Sequence, residues 1–440
     1  MNTKSGISKA LTYVKINWHY FIMIVLTVAW YIVIYRGITW RASPDTATYQ
    51  ITSIKELSWR HRLPGYQIIS LVFYYLCGGY ENANNYIVIF QICMAIIGCI
   101  FFYDALYHYL HSEMGALIFG IVNMMIIAMF GYGEALLTES LAVSVMCILI
   151  WVLVRAVQVR KGKYFILLSI ISLCGIMIRP SFIFTLPCLA IFFGVFYIAD
   201  DRKLAMKGLL SLLSVTFVLL VYCKHNESLM GKFCLSDVSY NNALASLITG
   251  DMYDNPDYPE ITAYIKAELG NKDTNDLTKA KNTLYYFGYD IGGGYIKDCK
   301  RLYSGKYIIY VKNHAVRFMN APIVQDVSQK GERRHYIYEA LRVFLFPWNY
   351  VSMLLMTIIY LGYIIYRSIK EKRFYYVDFG IIACTLSIYI LSLVALRTSF
   401  QRIAICLIPC TAFLEALFIR RLFEEWNYEQ KKYDKQELKI

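Results

Sequence analysis

The chain has 440 residues, of which 58% are hydrophobic and 17% are charged, and its mean hydropathy is +0.44. Soluble domains are about half apolar and about a quarter charged, and apolar runs of membrane-spanning length recur here, so an ordinary soluble protein is excluded. The net charge of +13 falls mostly in short loops, where the positive-inside rule accounts for it. No basic segment with interleaved aromatic residues forms a separate domain, which disfavours nucleic-acid binding.

Ten apolar runs predict an all-α polytopic membrane protein with about ten transmembrane helices. The first run is too long for the core of a cleaved signal peptide, and no small-residue cleavage site follows it. Clusters of Lys and Arg in alternate loops predict that both termini are cytoplasmic. The predicted spans are 18–35, 86–106, 116–130, 141–154, 164–178, 182–198, 209–222, 351–366, 377–396 and 403–419.

These spans divide the chain into three predicted parts. Residues 1–223 form an N-terminal membrane domain, whose first outer loop is 37–85, and residues 343–440 form C-terminal membrane helices with a cytoplasmic tail. Residues 224–342 are far too long for a helix connection in a bundle, so they are expected to form an extracytoplasmic cap.

The predicted cap carries helical patterns rather than a disordered composition. A stripe of apolar residues at helical spacing predicts amphipathic helices lying on the membrane: Tyr307, Ile308, Tyr310, Val311, Ala315 and Phe318. Gly292, Gly293 and Gly294 precede it and do not form a GxGxxG motif, so they are predicted to be a hinge or a turn.

Most of the twelve cysteines lie in apolar runs, where Cys behaves as a small hydrophobic residue. Only Cys234 and Cys299 lie well inside the predicted cap, and the sequence leaves open whether they pair. No CxxC motif or Cys/His cluster has the spacing of a zinc site. No cofactor is therefore predicted, and a divalent metal is left open but is not indicated.

The segment after the first span, RASPDTATYQITSIKELSWRHRLPGY, contains the first carboxylate outside the membrane. Ser43, Pro44 and Asp45 are typical of a helix start, because Ser caps, Pro suits the first position, and Asp favours the positive end of the dipole. The residues that follow predict a short helix on the membrane surface. Arg62 and the Pro64-Gly65-Tyr66 break come next.

This order of Asp, surface helix, Arg, Pro, Gly, Tyr and apolar run resembles the GT-C glycosyltransferases, which include protein O-mannosyltransferases and lipid A aminoarabinose transferases. The resemblance is close over 18–200 and looser over 295–420. It implies an integral membrane enzyme that transfers a sugar from a polyprenyl-phosphate donor to a glycan, lipid or protein acceptor. Transfer would occur on the non-cytoplasmic face, and the expected location is the bacterial plasma membrane.

The resemblance assigns Asp45 as the catalytic base, since its position matches the first-loop Asp of the family. Protein O-mannosyltransferases have an Asp-Glu pair there, whereas Thr46 follows here, so that family is a poor guide to the substrate. Glu139, in the LLTESLA segment, and Tyr66 are candidates for positioning the acceptor. Each carboxylate has a simpler structural alternative, namely to cap a helix or a span.

Four arginines are candidates for binding the donor phosphate, because the guanidinium fork can hold two phosphate oxygens. They are Arg62, Arg179, Arg397 and Arg402. Arg402 resembles the basic residue of the family's late Arg-to-Pro segment, although Ile403 stands where a Tyr often follows. The structural alternative is snorkelling, in which the charged head reaches the interface without binding a ligand.

Two other functions remain open from the sequence. A glycan-repeat polymerase or ligase would also combine many spans with a large outer loop and outer arginines. A flippase or transporter of lipid-linked glycans would favour charges within spans and repeated halves. The sequence has few such charges and no internal repeat, which counts against transport.

Overall fold

The computed structural model describes residues 17–36, 40–42, 45–57, 62–130, 133–270, 274–320, 336–337, 349–394 and 404–437. Over these residues the chain is mainly helical, and an isolated parallel bridge joins Arg41 and Ala135. The predicted all-α fold class is confirmed.

A helix coincides with each of the ten predicted spans. In the N-terminal part they are α1 (Trp18–Tyr35), α3 (Tyr80–Leu110), α4 (Glu113–Phe130), α5 (Glu139–Val159), α6 (Gly162–Ile178), α7 (Thr185–Ala199) and α8 (Arg202–Met230), with α2 (Pro64–Cys77) between the first two. In the C-terminal part they are α14 (Tyr350–Glu371), α15 (Tyr376–Val394) and α16 (Leu407–Glu437).

Seven of these helices are long and apolar enough to cross a membrane, counting α7 together with the 3₁₀ turn Pro180–Phe184 that precedes it. They are α1, α3, α5, α7, α8, α14 and α15. The helices α4 and α6 are apolar but shorter. Helix α2 has only 14 residues, which at about 1.5 Å per residue is too short to cross the apolar layer.

Helix α5 is the centre of the membrane bundle. Of the 18 residues in its most apolar stretch, 78% are buried inside the protein, a larger share than in any other of the seven helices. It packs against α3 and α6. The approach to α3 is close because Gly98 faces Ser144, and a Cβ at Gly98 would lie 3.0 Å from the Ser144 Cα. Small residues commonly allow such contact between membrane helices.

The segment predicted to be a cap forms α9 (Val238–Thr249), α10 (Pro259–Gly270), α11 (Asp276–Phe287), α12 (Tyr289–Leu302) and α13 (Ser304–Asn320). The first four surround an apolar core of their own, separate from that of the membrane bundle. Which side of the membrane this unit occupies stays a prediction.

Two details of this unit bear on the sequence predictions. The glycines 292–294 are not a hinge or turn but lie within α12, and a Cβ on Gly292 would meet Leu284 Cδ2 at 2.2 Å. The prediction was wrong because the three glycines continue a helix, and Gly292 allows close packing between α11 and α12 rather than a change of direction. Cys234 and Cys299 are both free thiols.

The Pro64-Gly65-Tyr66 sequence docks the start of α2 onto the last turn of α6. Pro64 is the first residue of α2, where its missing N–H leaves no helical hydrogen bond unmade. A Cβ on Gly65 would lie 2.6 Å from the carbonyl oxygen of Met177, so only glycine permits this approach. Tyr66 follows and is buried. Glycine thus sets the distance between the segment that precedes α2 and the end of α6.

We expect Gly65→Ala to destabilise the protein by about 1–3 kcal/mol, because the added methyl group collides with backbone that cannot rotate away. Thermal unfolding in detergent measures this. Gly362→Ala is the matched control, since nothing lies within 4 Å of a Cβ at that exposed helical position. Equal unfolding temperatures for the two variants would contradict the packing argument.

Candidate functional site

The first outer segment is more irregular than predicted. Instead of one surface helix beginning at Ser43, residues 45–57 contain two 3₁₀ turns, Thr46–Thr48 and Ile54–Glu56, while Ser43 and Pro44 lie outside the described residues. Side-chain oxygens compete with helical hydrogen bonding here: Glu56 accepts from the backbone N–H of Thr52 at 3.2 Å. The hydrogen bond from the Thr52 hydroxyl, at 2.7 Å, and then that from the Thr52 backbone N–H lower the pKa of Glu56.

Side chains of α2 and α3 hold this segment by hydrogen bonding to its backbone carbonyls. Gln67 Nε2 donates to the Thr48 carbonyl at 3.1 Å, and the Tyr80 hydroxyl donates to the Ile51 carbonyl at 2.5 Å. Tyr75 does the same to Thr52 at 3.1 Å. Because its carbonyls are satisfied by neighbours, the segment keeps a defined path without a regular helix of its own.

A second set of hydrogen bonds joins the outer segment to the stretch of chain that leads into α5. The Arg41 N–H donates to the Glu134 carbonyl at 2.9 Å, and the Leu136 N–H donates to the Arg41 carbonyl at 3.3 Å. Gln91, buried in α3, donates to the carbonyls of Gly133 at 3.0 Å and Ala135 at 2.9 Å. Its own carbonyl oxygen accepts from the Tyr66 hydroxyl at 2.5 Å. One amide thus ties α2, α3 and this stretch together.

Asp45 and Arg62 form an ion pair at the ends of the outer segment. Arg62 Nη2 lies 2.6 Å from Asp45 Oδ1, and both side chains are partly exposed. Arg62 Nε also donates to the Thr48 hydroxyl at 2.9 Å. A guanidinium has five N–H groups, so these two contacts leave others for a ligand. The pair combines a candidate base with a candidate phosphate-binding group.

Glu139 and Arg179 form a second, more deeply buried pair. Glu139 is the first residue of α5 and is 0% exposed, and its Oε1 lies 3.2 Å from Arg179 Nη1. Arg179 directly follows α6, and its Nη1 also donates to the Thr138 hydroxyl at 3.0 Å. A carboxylate at a helix N-terminus and a cation at a helix C-terminus are both favoured by the helix dipoles.

Tyr49 lies close to both pairs. Its ring is 3% exposed and lies under the Arg62 guanidinium, 4.7 Å from ring centroid to Cζ, and packs edge to face on Tyr66 at 4.8 Å. Burial raises its pKa, the Arg62 charge counteracts this, and the Glu139 charge raises the pKa further. The hydroxyl therefore stays protonated at neutral pH and can donate a hydrogen bond in the site.

Five of the seven residues predicted for the site are thus described and lie around Tyr49: Asp45, Arg62, Tyr66, Glu139 and Arg179. Their roles stay predictions. Arg397 and Arg402 lie outside the described residues. The next described element, the 3₁₀ turn Ala404–Cys406, packs against α5, and Cys406 lies within electrostatic reach of Arg179 and Glu139.

Sequence reasoning missed Tyr49 and Gln91. Tyr49 is one aromatic residue among many in this chain, and nothing in its sequence position distinguishes it. Gln91 could have been identified from the sequence as a polar amide inside an apolar span. Burial of such an amide costs free energy unless it binds another polar group. Both residues act through tertiary contacts, which a linear sequence does not display.

No protein-family model and no curated protein matches the sequence. The fold resembles solved structures of the Archaeoglobus fulgidus oligosaccharyltransferase. Its complex with Zn and sulfate has a TM-score of 0.51 and 11% identity, and the match covers 93% of this chain and 50% of that one. The form tethered to an acceptor peptide with the NVT sequon has a TM-score of 0.51 and 10% identity, with 94% and 50% covered.

A third structure is that of the same archaeal enzyme, AglB, with an inhibitory peptide and a dolichol-phosphate. It has a TM-score of 0.50 and 10% identity, and the match covers 96% of this chain and 52% of that one. The chain therefore spans about half the length of the solved structures it resembles. At this identity the likeness concerns the fold alone, which resembles the GT-C oligosaccharyltransferase fold.

Proposed function

We propose that the protein is an integral membrane glycosyltransferase that uses a polyprenyl-phosphate-linked sugar donor. The observation that carries the proposal is the convergence of the Asp45–Arg62 and Glu139–Arg179 pairs on Tyr49, at one end of a GT-C-like bundle. The structural neighbours include a complex with a dolichol-phosphate and one with an acceptor peptide, which supports a lipid-linked donor and a separate acceptor here.

In the proposed reaction, the Asp45 carboxylate takes the proton from the acceptor nucleophile. The nucleophile forms a bond to the anomeric carbon of the sugar while the bond from that carbon to the phosphate oxygen breaks. The electron pair leaves with the polyprenyl phosphate, and arginine cations stabilise its charge. Arg62 is suited to this role because its guanidinium already lies beside Asp45 and keeps further N–H groups.

Glu139 and Tyr66 are proposed to position the acceptor side of the site rather than to transfer protons. Glu139 is wholly buried against Arg179, and the Tyr66 hydroxyl donates to Gln91, so both are engaged in holding elements together. Arg179, which is 12% exposed, is proposed to contribute its charge to the phosphate from the opposite side of Tyr49.

One structural neighbour holds Zn, so the described residues of this site are considered as ligands for a divalent metal ion. Among the residues that the structure describes, no three His, Cys, Asp or Glu side chains are grouped as metal ligands. Asp45 and Glu139 each contact an arginine, so an added cation would meet positive charge at both. The described side chains do not fit a metal ion, and no step of the proposed reaction is assigned to one.

We expect Asp45→Asn to abolish sugar transfer while the protein still inserts and accumulates, because the amide cannot accept the proton. The measurement is transfer of labelled sugar from a polyprenyl-phosphate donor by purified protein, which also separates an enzyme from a transporter. Glu56→Gln is the control, since Glu56 is a carboxylate of the same outer segment engaged only locally by Thr52 and Ser53. Asp45→Asn activity within a few-fold of wild type would eliminate Asp45 as the base.

We expect Arg402→Ala to weaken donor binding and Arg402→Lys to restore it only in part, because Lys keeps the charge but loses the fork. Snorkelling predicts that donor affinity stays the same in both. Titration of donor lipid against each variant is the measurement, and Arg373→Ala, at the predicted cytoplasmic end, is the control. Equal affinities in all four proteins would remove Arg402 from the site.

The proposed topology places the site and residues 224–342 outside the cytoplasm, in the bacterial plasma membrane, with both termini inside. Under this topology an impermeant maleimide labels Glu260→Cys, at an exposed position of α10, in intact cells. Lys161→Cys, exposed in a predicted inner loop, is labelled only after permeabilisation. The reverse pattern would place Asp45 on the cytoplasmic face and contradict the proposal.

A further inference from the structure

Helix α13 has two unlike faces, and the apolar stripe predicted from the sequence is mostly the inner one. Tyr307 and Tyr310 pack against the core of the α9–α12 unit, and Phe318 is buried in the core of the membrane bundle. The prediction that this stripe lies on the membrane was therefore wrong for Tyr307, Tyr310 and Phe318, whereas Ile308 is exposed. Burial against two protein cores satisfies the stripe without lipid.

The inner face fixes where α13 lies relative to the bundle. Phe318 stacks on Tyr350, the first residue of α14, with ring centroids 4.2 Å apart. It also meets Tyr389 near the end of α15, at 6.0 Å. The start of one membrane-spanning helix and the end of the next lie at the same end of the bundle. The C-terminal part of α13, at Phe318, therefore lies where those two helices leave the apolar layer, and its first half lies against the α9–α12 unit.

The outer face of α13 is apolar and basic. Ile308, Ile309 and Val316 are 66%, 60% and 51% exposed. Lys312 lies one turn from both Ile308 and Val316, so its side chain shares their face. Helix α13 contains no Asp or Glu, and neither Lys312 nor Arg317 forms an ion pair with a described residue. Positive charge thus flanks an apolar row on the helix that joins the α9–α12 unit to the bundle.

We infer that this outer face lies in the lipid headgroup layer and binds anionic lipids. The isoleucines and the valine reach towards the acyl chains, and the Lys312 and Arg317 heads meet lipid phosphates from above. Apolar side chains with basic neighbours and no acidic residue are complementary to a negatively charged surface. The inference does not depend on what reaction the protein performs.

A protein partner fits this face less well than lipid. A stable protein interface takes about 20–30 residues from each side, whereas the outer face of α13 offers three apolar side chains in one row. Helix α14, which contacts α13, is itself apolar and exposed at Leu355, Ile358 and Ile359. Contact with lipid explains both exposed apolar surfaces.

The test uses the full chain in vesicles of equal parts phosphatidylcholine and phosphatidylglycerol. The photo-crosslinking residue p-benzoylphenylalanine replaces Ile309 in one protein and Glu260, exposed on α10, in the control. After irradiation, mass spectrometry identifies the attached molecules. We expect lipid adducts from position 309 and few or none from position 260. Equal lipid labelling at the two positions, or adducts at 309 to a second protein, would overturn the inference.

The charge requirement is tested on the same Ile309 crosslinker. In a Lys312→Gln, Arg317→Gln protein, we expect the ratio of phosphatidylglycerol to phosphatidylcholine adducts to fall by about fivefold for each cation removed. Lys312→Arg with Arg317→Lys should retain the ratio. Lys266→Gln is the control, because Lys266 pairs with Asp254 on the α9–α12 unit. A ratio unchanged in the double Gln variant would show that lipid contact is apolar only and refute anionic-lipid binding.

Discussion

The buried ion pair between Glu139 and Arg179 is the contact on which the arrangement of the site depends. It joins the N-terminus of α5 to the C-terminus of α6, so each charge sits where a helix dipole favours it. Ion pairs removed from water are costly unless hydrogen bonds support them, and Thr138 supplies one. Tyr49, Gly65 and the turn at Ala404–Cys406 all lie against these two helix ends. Loss of either charge would therefore disturb several elements at once.

Near this ion pair, the path of the outer segment is set by hydrogen bonds that neighbouring helices donate to its backbone, rather than by helical propensity. Residues 45–57 make only two short 3₁₀ turns, yet Gln67, Tyr75 and Tyr80 donate to their carbonyls from neighbouring helices. A backbone held in this way can place Asp45 and Tyr49 without covering them by a long helix. The partial exposure of the Asp45–Arg62 pair follows from it, and a substrate at the bundle's end would have access to both side chains.

The spans could be predicted from sequence because apolar length and the alternation of basic loops act along the chain. The candidates Asp45 and Arg62 could also be found, because the order of residues in the outer segment resembles the GT-C family, and Glu139 could be found because it begins a span. Their pairing could not, since it depends on how α5 and α6 meet in space. The glycines 292–294 and the α13 stripe were misread for one reason: sequence shows that a position is small or apolar but not which surface covers it.

The balance of charge around Tyr49 bears on how a donor phosphate could be held. Asp45 neutralises Arg62, and Glu139 neutralises Arg179, so the two pairs together carry no net charge. Burial raises the pKa of Tyr49, so its phenol stays neutral and adds no charge to the site. An anionic headgroup at this site must therefore either draw an arginine away from its carboxylate or meet further cations. Arg62 is the easier of the two to draw, since its partner is partly exposed whereas Glu139 is wholly buried.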